Sequence, residues 1–222
     1  MAVPVQFTFV PRDLAAICAY QTTAGAGPLT INGTYVDQNA LGVGVQRAFM
    51  PGGMGYGVAI NCSGNVSGVN FKVTGVDVYN QTISATLAGP NVGVVVTPQE
   101  FAAIFSVSSN AAVASNTRVG IFGHGSSRPY QVDTFMNPVN MDATLLIVSA
   151  ATASLQNTDA NLNAIVAISG SAAPTWTNIS TVSNVTATTV ATSSSPRKWV
   201  RLYVSGVDAT GTVQATLTQA GW

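Results

Sequence analysis

The sequence predicts an all-β protein of two antiparallel β-sandwich domains, Ig-like or jelly-roll-like, preceded by a short N-terminal arm or helix. Three observations carry that expectation. Apolar and polar residues alternate over many short stretches bounded by Gly, Pro or Asn, the period of a strand with one wet face. Helix start and stop signals are scarce along the chain. Its 222 residues suffice for two β domains of about 100 residues each, large enough to bury a core without staples.

Taken in order, residues 1–21 read as the arm. Leu14, Ile17 and Cys18 fall at i, i+3 and i+4 behind Pro11, which predicts a short helix over 11–21 that must pack on the sheets to persist. The first domain is placed at 22–124. Within it GGMGYG at 52–57 reads as a strand-linking turn, because it neither precedes a helical pattern nor carries the Lys-Ser/Thr of a phosphate loop. Phe71, Val73 and Gly75 then alternate with Lys72 and Thr74, and Ile83, Ala85 and Leu87 with Thr82, Ser84 and Thr86. That is strand, turn, strand, with Asn80 at the turn.

GHGSSRP at 123–129 clusters Gly, Ser and Pro and reads as the linker to a second domain at 125–222. Trp199 lies in the alternating stretch KWVRLYV and reads as core, with Trp176 similar after Pro174. Near the end, VSGVDATGTVQATL at 204–217 matches VTGVDVYNQTISATL at 73–87 with one residue deleted at the turn. The match predicts a duplicated hairpin, with Asp77 and Asp208 in equivalent structural positions and Gly211 answering Asn80. Val213, Ala215 and Leu217 alternate with Gln214, Thr216 and Thr218, and this strand carries Gln219 to Trp222 to the domain edge. Trp222 and Gln219 are therefore the candidate interface residues, since a terminal indole needs the body or a neighbour to shelter it.

Composition narrows function. The chain holds 8 Lys+Arg, 8 Asp+Glu and one His, and charged residues are 7% against about 25% in an ordinary soluble domain. Catalysis needs groups that move protons, bind metal or stabilise developing charge, and few are present to converge. Arg197, Lys198 and Arg201 form the densest basic cluster, too small to track a phosphate backbone, so no nucleic-acid partner is expected. Net charge is zero, so copies repel one another weakly. Cys18 and Cys62 lack metal-binding spacing and read as buried thiols. No signal peptide or membrane-spanning run is visible, and no cofactor or metal is expected.

Several constellations invite chemistry. His124, Ser126 and Asp133 lie close in the chain, but no nucleophile elbow surrounds Ser126, so a linker histidine is the expectation. Glycoside hydrolysis needs paired carboxylates, whereas the chain has Glu100 and scattered Asp. Asp133 and Asp142 could each touch a cation, yet no dozen-residue run gathers several oxygen ligands. Asn-x-Ser/Thr triplets at Asn32, Asn61, Asn65, Asn80, Asn178 and Asn184 read as by-products of Asn- and Thr-rich strands.

The order of segments carries a resemblance. LAAICAYQT with GAGPLTING, then SGVNFKVTGVDVYNQTISATLAGPN, FAAIFSVSSNAAV, YQVDTFMNPVN, APTW and GTVQATLTQAG, spanning Leu14 to Gly221, resemble virion structural proteins of tailed bacteriophages. That resemblance implies a non-enzymatic particle component made in the host bacterial cytoplasm and located in the virion. It points to a capsid decoration or cement protein that binds the major capsid protein or other virion proteins as a homo-oligomer, a trimer favoured. Other readings are a neck, tail or fibre-attachment protein and a carbohydrate-binding adhesion module.

Overall fold

The computed structural model describes residues 4–37, 46–135, 140–167, 173–194, 196–207 and 210–220. In chain order its strands are β1 (Val5–Phe9), β2 (Asp13–Thr23), β3 (Gly27–Pro28), β4 (Val36–Asp37), β5 (Arg47–Phe49), β6 (Gly55–Cys62), β7 (Asn70–Val76), β8 (Thr82–Ala88) and β9 (Gly93–Phe101). They continue as β10 (Ala103–Ser109), β11 (Val113–Ser126), β12 (Tyr130–Gln131), β13 (Asn140–Val148), β14 (Thr152–Thr158), β15 (Thr177–Asn178), β16 (Thr189–Ser193), β17 (Trp199–Val207) and β18 (Thr212–Ala220). Among the described residues a short α-helix, α1 (Leu162–Ala167), interrupts them. The fold is all-β with antiparallel sheets, as the alternation predicts. The chain divides into two units, residues 12–122 and residues 1–11 with 123–222.

In the 12–122 unit, β4, β5, β10, β7 and β8 lie side by side, with β3 also on β10. β7 and β8 pair without interruption from Asn70 opposite Ala88 to Val76 opposite Thr82. Phe71, Val73 and Ala85 point into the core while Lys72, Ser84 and Thr86 stay outside. Asp77 makes the turn: its Oδ1 accepts from the backbone N–H of Tyr79 (2.8 Å) and Gln81 (2.9 Å), and Asn80 takes the left-handed φ of 66°. β6 pairs β9 across a register shift between Gly57 and Ala59. There the buried Thr97 hydroxyl accepts from Val58 N–H (2.9 Å) and donates to the Gln99 carbonyl (2.7 Å), filling the gap in the ladder.

The expected helix over 11–21 is instead the core of β2. Ala16, Ile17 and Cys18 are consecutive and all buried, so the segment is covered on both faces. Its backbone groups bond outward, Ile17 C=O accepting from Asn32 and Gly33 N–H and Ala16 C=O from Tyr35 N–H. The i, i+3, i+4 spacing was a coincidence of a fully apolar strand, which periodicity alone does not separate from a helix.

In the other unit the sheet order is β1, β18, β13, β16. A second set joins β15, β14 and β17, with β12 and the Gly123–Ser126 end of β11 also on β17. Phe9, Met141, Ala143, Leu145, Val213, Ala215 and Leu217 fill the core from the first sheet. Leu155, Val200, Leu202 and Val204 fill it from the second.

Three expectations about organisation are corrected. The described residues of the expected 1–21 arm are not free: β1 pairs β18 over Val5 to Phe9, and β2 pairs β11. GHGSSRP is no loose linker, because His124, Gly125 and Ser126 pair with Ser205, Val204 and Tyr203. Its Gly and Ser have other work: Gly123, at φ 55°, accommodates a register shift, and the buried Ser127 hydroxyl accepts from Leu202 N–H (3.0 Å). The matching segments do not form equivalent hairpins either. β7 and β8 are hydrogen-bonded neighbours, whereas β17 and β18 lie in different sheets. With the two strands in different sheets, the duplication argument falls. Asp208 and Trp222 lie outside the described residues.

Candidate interaction surface

Of the residues singled out for chemistry, His124 and Ser126 lie two apart on β11, while Ser126, Asp133 and Asp142 each make a hydrogen bond within the protein. Ser126 Oγ accepts from an Arg201 guanidinium N–H (3.3 Å). Asp133 Oδ1 accepts from Phe135 N–H (2.9 Å), which makes an Asx turn rather than the third member of a triad. The Asp142 carboxylate accepts from the Thr192 hydroxyl across the strand pair (2.6 Å). GGMGYG is a turn leading into β6, with Gly52 and Gly53 at φ of 64° and 63°. Among the described residues no three His, Cys, Asp or Glu side chains gather as a metal site, and no helix is long and apolar enough to cross a membrane.

Burial, not reactivity, governs the titratable groups that deviate. It pushes the Cys18 thiol up to about 12. It also raises Cys62, where the Thr117 hydroxyl at 3.1 Å works in the opposite direction. Asp77 is raised by burial, partly offset by the backbone N–H groups it caps. Tyr35 is raised by burial and then by the charge of Asp13.

Four of the six arginines lie on the protein's own rings. Arg12 sits over Phe122 (5.6 Å to the centroid), Arg47 over Phe105 (4.6 Å), Arg118 over Tyr20 (4.7 Å) and Arg201 over Trp176 (4.5 Å). Arg201 also donates to Gln156 Oε1 (2.9 Å), and Gln156 donates to Asn178 Oδ1 (3.0 Å). Trp176, expected in the core, is half-buried under that guanidinium. Trp199 is buried as expected, with its indole N–H lacking an acceptor.

What the surface offers is contact. On the outer side of the β1, β18, β13, β16 sheet, registered rows run Val190, Thr144, Thr216, Gln6 and then Leu146, Gln214, Thr8. Val190, opposite Thr144, is 73% exposed, and Leu146 and Val148 are exposed further along β13. Asp142, bonded to Thr192, is the charged side chain among the described residues of this face. Phe135 is 97% exposed on a short, well-fastened segment. Val132 is buried and its N–H donates to the Lys198 carbonyl (2.9 Å), fixing the chain just ahead of Phe135.

Gln219, expected at an interface, points inward and is 5% exposed. Its Oε1 accepts from Asp133 N–H (2.8 Å) and its Nε2 donates to the Asp133 carbonyl. Sequence reasoning passed over Phe135 and the outer face, though signals existed. TLLIV in β13 breaks the alternation with consecutive apolar residues, and Phe135 follows an Asp at the spacing of an Asx turn.

Comparison with protein-family models, curated proteins and solved structures finds no match.

Proposed function

We propose that this chain is a non-enzymatic structural protein of a tailed-bacteriophage virion, two β-sandwich units acting as a capsid decoration or cement protein on the major capsid shell. The observation that carries the reading is the outer face of Leu146, Val148 and Val190, apolar residues set among Thr and Gln on a nearly uncharged sheet. Such a face suits burial against protein, and many copies on a lattice gain avidity from individually modest contacts. Ser126, Asp133 and Asp142 are engaged in structural hydrogen bonds, which favours building over catalysis.

An adhesion module for carbohydrate has weaker support. A polar hollow of about 350 Å³ lies by Asn157, Asn178, Thr192 and Arg197. Asn178, however, uses its amide on Gln156 and Ser183, and the Trp176 ring carries Arg201 on one face. The deciding measurement is stoichiometry against the major capsid protein in purified particles, by quantitative gel or mass spectrometry. A count comparable to the shell protein supports decoration; a handful per particle means neck or tail, and absence from particles ends the virion reading.

A further inference from the structure

Asn32 and Gly33 form the single Asn-Gly pair of the chain, and there backbone chemistry and packing pull in opposite directions. Glycine hinders attack by its own backbone nitrogen less than any other residue, so an asparagine ahead of it closes on the chain most readily. Gly33 N loses its proton and bonds to Asn32 Cγ, the Cγ–Nδ2 bond breaks, and the side-chain nitrogen takes up the proton and leaves as ammonia. Water then opens the succinimide at either carbonyl, leaving aspartate or isoaspartate at position 32, with nothing oxidised or reduced.

Asn32 is exposed, so water and base reach it. What restrains it is the lacing of residues 30–35 to β2. Asn32 Oδ1 accepts from Ala19 N–H (2.9 Å), and the N–H groups of Asn32 (3.1 Å) and Gly33 (2.9 Å) both donate to the Ile17 carbonyl. Tyr35 N–H donates to the Ala16 carbonyl (2.9 Å). Two residues ahead of Asn32, Gln21 grips the backbone of Thr30, its Oε1 accepting from the N–H (2.8 Å) and its Nε2 donating to the carbonyl (2.9 Å). Ring closure removes the Gly33 proton, and with it the bond to Ile17, and must swing Cγ onto that nitrogen against the bond to Ala19. Packing also demands the labile pair: a Cβ on Gly33 would run into the Ala15 carbonyl and the Ala16 backbone, and Asn32 supplies the acceptor for Ala19.

We infer that Asn32 is a modification site gated by the fold, held unreactive while residues 30–35 lie on β2 and converted through the succinimide whenever that segment opens. The two products differ in consequence. An aspartate keeps an oxygen for Ala19 N–H and an unchanged backbone. An isoaspartate adds a backbone atom ahead of Gly33, which displaces that residue from Ile17 and from its close fit against Ala15 and Ala16. Chains carrying it are therefore excluded from the native state, and the inference stands apart from the virion reading.

The experiment incubates the full chain at mildly alkaline pH, folded and in urea, and follows each asparagine by mass spectrometry after digestion in acid, with isoaspartate read by its methyltransferase. In urea Asn32 should convert faster than every other asparagine. In the folded chain it should convert at least about thirtyfold more slowly than in urea, what two net hydrogen bonds are worth to a reaction that waits for local opening. Gln21→Ala, folded by circular dichroism and melting temperature, should raise the native rate at Asn32 about fivefold or more, the scale of one net hydrogen bond. After ageing in urea and refolding, the folded fraction should hold asparagine and aspartate at position 32 but be depleted of isoaspartate. Equal rates in folded and unfolded chain, slow conversion in urea, or a folded Gln21→Ala chain that reacts like wild type overturns the inference, as does isoaspartate that refolds freely. Where Gln21→Ala fails to fold, the wild-type rates and the refolding fractions decide.

Discussion

The carboxamide of Gln219 closes on the backbone of Asp133 from both sides, accepting from its N–H at 2.8 Å and donating to its carbonyl. One side chain thereby does for a turn what a neighbouring strand does for a ladder, and it does so at 5% exposure. Replacing it with Leu keeps the bulk and strands two backbone groups at the edge of the core. Gln219→Leu should cost about 1–3 kcal/mol in urea unfolding. Gln219→Glu should be worse at neutral pH, because an ionised carboxylate faces the Asp133 carbonyl. It should recover as pH falls and the protonated acid can donate again.

Asp77 tests a different balance. Burial raises its pKa although its carboxylate caps Tyr79 and Gln81 N–H. A folded-state pKa above the unfolded value means that the native state holds the proton more tightly, so stability falls as pH rises through the window between them. Asp77→Asn keeps an acceptor oxygen without the charge. It should equal or exceed wild type in stability at pH 7, with the difference closing as pH falls toward about 4, the unfolded carboxyl value. Asp77→Ala removes the acceptor for both N–H groups and should cost about 1–3 kcal/mol at either pH.

Neither thiol should react in the native state. Cys18 is fully buried in β2 with its pKa pushed up to about 12, so its thiolate fraction at pH 8 is on the order of one in ten thousand. Cys62 is buried against Thr117 and also raised. Mass spectrometry after iodoacetamide should show no adduct on folded protein and two after denaturation. A rapid native adduct on Cys62 would show that the β6 end opens locally.

Strand identity and inward faces were legible wherever one side of a strand is wet. Phe71, Val73, Val213, Ala215 and Leu217 all face the core as their spacing predicts. Legibility failed where both sides are dry, as at Ala16, Ile17 and Cys18, since a fully apolar run has no period to read. It failed again at GHGSSRP, where Gly and Ser serve a register shift and buried hydroxyl bonds instead of slack. Alternation says which face of a strand is inward, but not which sheet the strand joins. That is why β17 and β18, so like β7 and β8 in sequence, lie apart. The contact surface was least legible: Gln219 was expected outside and lies inside, holding the segment that presents Phe135.

Gly75 and Gly206 occupy the same place in the two matching segments, and their different settings make the sharpest test of how local sequence is reused. Gly206 has φ +68° with open space around it, so only the left-handed backbone requires glycine there. Gly75 is in ordinary strand conformation, but a Cβ would run into the Ala103 carbonyl and meet the Phe101 ring at 3.0 Å. Since β7 and β10 pair at this point, the neighbouring backbone can yield only by breaking register. Gly206→Ala should therefore cost about 1 kcal/mol, and Gly206→Asn less, because Asn visits the left-handed region more readily. Gly75→Ala should cost about 3 kcal/mol or more by steric overpacking, with Gly75→Asn worse still. Urea unfolding of the four variants reads both orders at once. If Asn rescues Gly75 as it does Gly206, backbone conformation and not close approach is what selects glycine at both positions.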